Sequence, residues 1–131
     1  MSEEKSVEAE APLGLADILK KYPTAPSSEQ IELWKTQYGE VFVSGFSETE
    51  LYLWRPVKRP EWVKLQMKAQ EVQADTFKFE EMVCETCILW SSVAGSVGEG
   101  KAGSASALNE QILSNSNFLT PQQSSLLVAK L

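Results

Sequence analysis

Residues 51–62 read LYLWRPVKRPEW, directly after the polar stretch SETE at 47–50. Three aromatic residues, three cations and two prolines share these twelve positions, in a chain of 131 residues with a net charge of −6. The prolines divide the stretch. Pro56 has no N–H to give to a strand ladder, so it closes a strand that ends in LYLWR. Pro60 fits the first turn of a helix, where the missing N–H costs nothing. The stretch therefore predicts a join between a strand and a helix, and the fold class follows from extending it both ways.

Upstream, EVFVSGF is rich in β-branched and aromatic residues and pairs naturally with LYLWR across SETE, giving a hairpin over about 40–55. The four-residue polar turn has no Asn-Gly pair and leaves the register open. Before it, Ser27 and Gln30 stand in a capping-box relation. Ile31, Trp34 and Tyr38 form an apolar stripe, and Gly39 stops a helix over about 28–38. PTAPSS is a linker. An earlier helix over about 13–22 carries Leu15, Ile18, Leu19 and Tyr22 and ends at Pro23. Residues 1–12 hold four Glu against one Lys, the composition of a flexible acidic tail.

Downstream, Trp62, Leu65, Ala69 and Val72 make one stripe of a helix over about 60–73, with Lys64, Lys68 and Glu71 outside it. Asp75 caps a longer helix expected over 76–94, whose core face is Phe79, Val83, Cys87 and Trp90. The segment 95–103 has four glycines in nine residues and reads as a mobile loop. Helices over about 105–116 and 121–130 follow. The expected fold is α+β: a small hairpin or sheet packed on a mainly helical layer, in a single domain over 13–131.

Composition narrows the functional classes. The chain has no histidine, which removes the commonest general base and zinc ligand and every Ser-His or Cys-His nucleophile pair. The acidic balance opposes generic DNA or RNA binding, which requires clustered cations against phosphates. No stretch approaches the ~20 apolar residues that span a bilayer, and the acidic N-terminus lacks the apolar core of a signal peptide. Two cysteines without such a signal suggest free thiols in a reducing compartment.

Three motifs invite chemistry. Cys84-Glu-Thr-Cys87 could be half a zinc site, but no second pair completes four ligands, and its mid-helix place reads as two small core residues. Gly95 to Lys101 matches GxxxxGK, the phosphate-cradling loop. However, Ala102 stands where Ser or Thr would hold magnesium, and a helix rather than a strand precedes the loop. Arg55, Lys58, Arg59, Lys64 and Lys68 interleave with Tyr52, Trp54 and Trp62, as in a single-strand binding surface. Trp54 on a strand and Trp62 on a helix stripe read more simply as core anchors with the cations as their rim, leaving room for an acidic protein partner.

In their order, these phrases resemble the phage tail assembly chaperones over roughly residues 38–127. The hairpin ends in LYLWRP, the next helix opens with VKRPEW, and a helix follows with MVCETCILW. A Gly-rich segment then leads to ALNEQ and ILSNSNF. The chain departs from the pattern after the cysteines, where WSSVAGSVGEGKAG replaces an acidic, proline-bearing phrase. A related pattern occurs in small baseplate-hub assembly proteins of contractile-tailed phages.

The resemblance implies a non-enzymatic binding protein without cofactor or metal. It would coat the tape measure protein in the host cytoplasm until tail-tube protein polymerises around it. A structural role in the baseplate or virion tail is the alternative, and self-association is compatible with either. No nucleic acid or membrane partner is expected. The candidate contact residues are Tyr52, Trp54, Arg55, Arg59 and Trp62, with Leu126, Leu127 and Leu131 as a second apolar patch.

Overall fold

The computed structural model describes residue 17, residues 19–118 and residues 128–131. Among these residues, four α-helices and one three-stranded antiparallel sheet make an α+β fold. The elements are α1 (Ser28–Tyr38), β1 (Phe42–Ser47), β2 (Glu50–Trp54), α2 (Arg59–Glu71), α3 (Thr76–Cys87), β3 (Ile88–Ser91) and α4 (Ser104–Ser114). A short 3₁₀ turn at Val97–Glu99 precedes α4.

The sheet order is β1-β2-β3, so β2 is central and is buried at all five positions. Strand alternation sends Tyr52 and Trp54 to one face and Leu51 and Leu53 to the other. Across the first face, Phe42 pairs with Trp54 and Ser44 with Tyr52. Behind it lies the main core of Val83, Cys84 and Cys87 from α3, Leu108 and Ile112 from α4, Leu65 from α2, and Val57 and Val97. Across the second face, Val43, Leu53 and Trp90 stand in one row. The segment after Leu19 lies against this row: Tyr22 meets Trp90 edge-on at 5.7 Å, and the Trp90 indole donates to Thr24 at 3.3 Å.

The helix starts follow their local chemistry. Ser27 Oγ accepts from the Gln30 N–H at 3.1 Å, and Gly39, at φ 91°, ends α1. Asp75 caps α3 by accepting from the Lys78 N–H at 2.8 Å. Pro60 stands in the first turn of α2 as expected. The hairpin turn is tighter than expected, with only Glu48 and Thr49 between the strands. Neither has a positive φ, and the register shift between Gly45 and Ser47 takes up the mismatch. Ser92, the residue after β3, clamps the turn: its hydroxyl donates to the Thr49 carbonyl and accepts from the Leu51 N–H.

The helix expected over 76–94 ends at Cys87, and Ile88–Ser91 form the third strand. The apolar run Ile88-Leu89-Trp90 satisfies helical spacing, but it also suits a strand, and β2 offers an otherwise unpaired edge. No loop intervenes. The Arg55 N–H donates to the Cys87 carbonyl at 3.1 Å, so the ladder reaches the last helical residue.

The early helix expected to reach residue 22 is helical at Asp17 and Leu19 and gives way to a turn at Lys20. The acidic tail expected over 1–12 lies outside the described residues, as does most of the helix expected over 121–130. Residues 128–131 are non-helical and exposed, without the tertiary packing that sustains short helices. The glycine-rich loop, expected to be mobile, is anchored in the core by Val97, which is 3% exposed.

Trp54 is 2% exposed, stacks on Phe42 at 4.7 Å and donates its indole N–H to Ser44 Oγ at 2.7 Å. Trp54→Ala should therefore destabilise the fold by about 3–5 kcal/mol, read as a lower midpoint in urea unfolding.

Candidate functional site

The two halves of LYLWRPVKRPEW meet different environments. Tyr52, Trp54 and Arg55 are buried, whereas Arg59 is exposed and Trp62 is half-buried. The five expected contact residues therefore do not form one surface. The alternation of β2 places Tyr52 and Trp54 against α3 and α4, where a partner cannot reach them without unfolding the chain. Leu126 and Leu127 lie outside the described residues, and Leu131 is exposed.

Arg55 is a joint rather than a contact. Its guanidinium donates to Glu61 Oε1 at 2.6 Å and to the Pro56 carbonyl at 3.3 Å, and it lies over the Tyr38 ring at 4.6 Å. Glu61 Oε1 also accepts from the Lys58 N–H at 3.0 Å, the returning arm of a capping box. Burial works against the Glu61 charge, but Arg55 and the Lys58 N–H outweigh it and hold the carboxyl below its ordinary value. One carboxylate thus ties the end of β2, the start of α2 and, through Arg55, the end of α1. Trp62 closes the adjoining corner, edge-on to Phe79 at 5.3 Å and to Phe118 at 4.7 Å.

A second carboxylate was not among the expected site residues. Glu50 is 4% exposed, and its Oε2 accepts from Ser104 Oγ at 2.6 Å and from the Tyr52 hydroxyl at 2.8 Å. Its Oε1 has no partner among the described residues. The bond from Ser104 is the main influence holding its pKa down; burial opposes it, and Tyr52 and the Lys101 charge assist. The first turn of α4 adds a favourable helix-terminus field. Sequence reading placed Glu50 in a polar turn, because pairing register alone decides that it faces the core.

The thiols are structural. Cys84 and Cys87 are both fully buried, and burial above all pushes each pKa up to about 12. Cys84 Sγ donates weakly to the Ala105 carbonyl at 3.4 Å. Among the described residues, no group of three or more Cys, Asp or Glu side chains converges in a way that could hold a metal ion. The GxxxxGK loop is equally occupied. The Val97 N–H donates to Glu85 Oε2 at 3.2 Å, and a Cβ at Gly98 would stand 2.5 Å from the Glu81 carboxyl. Carboxylates therefore hold the position at which a phosphate cradle would present free N–H groups.

Comparisons with protein-family models, curated proteins and solved structures returned no match to this chain. Among the described residues, no helix is long and apolar enough to cross a membrane.

What remains outward on this part of the molecule is the far side of α2. Val63 is 40% exposed and Met67 64%, one turn apart and opposite the buried Leu65. Exposed Arg59 and Lys64 flank them, Glu71 stands one turn beyond Met67, and Lys68 lies further round the helix. Sequence reading singled out the cations but not Val63 and Met67. The signal was present, since both fall off the inward stripe of Trp62, Leu65 and Ala69.

Two outcomes follow. Native protein at pH 8 should leave both thiols unreacted with a chromogenic disulfide reagent, and denaturant should release two per chain. Glu50 and Glu61 both have depressed native pKa values, so their contribution to stability is complete above the ordinary carboxylate value of 4.5 and is lost as pH falls through the native values. Urea midpoints measured from pH 7 down to pH 3 should fall below about pH 4.5 in the wild type. Glu50→Gln should flatten that decline.

Proposed function

We propose that this chain is a non-enzymatic protein of phage tail morphogenesis, a chaperone that binds the tape measure protein and assists tail-tube assembly. The observation that supports this reading is how the resembling phrases converge in space. LYLWRP forms the central strand and its Arg55 joint, and VKRPEW opens α2. MVCETCILW supplies the buried face of α3 and then β3, and ALNEQILS runs along α4, whose Leu108 and Ile112 close the same core, with NSNF following its end. Phrases that are individually unspecific thus form one packed unit with a helix face left outward.

The chemistry of binding fits the same task. A small acidic domain keeps a partner's apolar helices soluble by charge, while a helix face takes up part of their apolar surface. Nucleotide binding is the weaker reading. A phosphate at the glycine loop would have to displace Glu85 from the Val97 N–H and enter beside Glu81, which packs against Gly98.

Co-expression with the tape measure protein of the same phage tests the proposal. The chain should co-purify with it, raise its soluble yield and be missing from purified virions. Retention in purified particles would instead identify a baseplate or tail component. Failure to co-purify, with absence from particles, would remove the chain from both roles.

A further inference from the structure

We propose that the outward face of α2 is a docking surface for an amphipathic helix with an acidic rim. Two exposed apolar residues are ordinary on a protein surface; here their setting distinguishes them. The chain carries a net charge of −6, yet the carboxylates of α2 do not neutralise this face. Glu61 is committed to Arg55 and the Lys58 N–H, and Glu71 is within 3.4 Å of Lys68. Among the described residues no carboxylate forms an ion pair with Arg59 or Lys64, and these two cations make the face positive around Val63 and Met67.

That distribution selects among occupants. A second copy docking through the same face would bring together two surfaces of the same sign, because two-fold pairing joins a patch to itself. A nucleic acid would meet the cations but also the repulsion of the acidic chain, and would leave the apolar pair unused. A helix with an apolar seam and flanking Asp or Glu satisfies both features. The ridge through Val63 and Met67 seats in its groove, and the flanking carboxylates meet the cations. This surface rests on the reading of the chain as a binding protein, but not on the identity of the tail partner.

Fluorescence anisotropy with the full chain and three labelled synthetic helices tests it: a Leu seam with a Glu rim, the same seam with a Lys rim, and a Glu rim with the seam replaced by Ser. The first should bind at least about tenfold more tightly than the others, and should weaken as salt is raised. Lys64→Glu/Lys68→Glu and Val63→Ser/Met67→Ser should each weaken it about tenfold while leaving thermal melting unchanged, because these positions are exposed.

Equal binding of the Lys-rim helix, or no effect of either double variant, would overturn the proposal. So would a dimer seen by sedimentation and abolished by Met67→Glu. Carbodiimide coupling of the Glu residues in 1–12 to Lys64 or Lys68 within one chain would also overturn it, by showing the face covered in cis. Peptide docking without tape-measure capture would remove the tail-assembly reading and keep this surface; capture without peptide docking would do the reverse.

Discussion

The rest of the structure depends on a strand buried on both faces and paired along both edges. β2 has no side that water can reach, so every neighbour must supply something it lacks. β1 and β3 take its backbone groups, α3 and α4 cover Tyr52 and Trp54, and the segment from Leu19 to Thr24 lies on the opposite side. Glu50 makes the constraint sharper. A carboxylate at the start of such a strand depends on the protein itself for hydrogen bonds, and the hydroxyls of Tyr52 and Ser104 both donate to one of its oxygens, Oε2. That requirement sets the N-terminus of α4 against the beginning of β2 and determines how the last described helix closes the core.

The parts of this arrangement that follow local rules were legible in the residues. Ser27 with Gly39, Asp75 and Pro60 mark helix boundaries through one-turn hydrogen bonding or a fixed φ, and those boundaries fell where expected. What resisted reading depends on distant neighbours. Ile88-Leu89-Trp90 fits a helix and a strand equally, and only the open edge of β2 decides between them. Val97 looks like loop filler among glycines until a gap between α3 and α4 accepts it. An inward Trp54 is the simpler reading of its place on a strand, yet Tyr52 and Trp54 also stand among the expected contacts. A buried central strand permits only the first role.

The stretch around Pro56 therefore divides by physics as well as by conformation. Before the proline, aromatic and cationic groups face inward and spend their capacity on Ser44, Glu50, Glu61 and Tyr38. After it, the chain turns outward, and the same residue types are presented to solvent on α2. Local density of aromatic residues and cations cannot separate the two halves, because composition does not encode which side of a strand faces the core.

The Arg55–Glu61 pair explains why such a division is held in place. Arg55 is buried while Glu61 keeps partial contact with water, and such a pair returns little net stability, because desolvating the buried charge offsets much of the attraction. Its effect here is directional. Glu61 Oε1 accepts from the strand's Arg55 and from the Lys58 N–H at the helix entry at once, so α2 cannot rotate about its first turn without breaking both bonds. Leu65 is then committed to the core, and Val63 and Met67 to the outside. The outward face is thus fixed by a contact beneath it, and a partner that binds there meets a surface already oriented, with less conformational freedom to lose on docking.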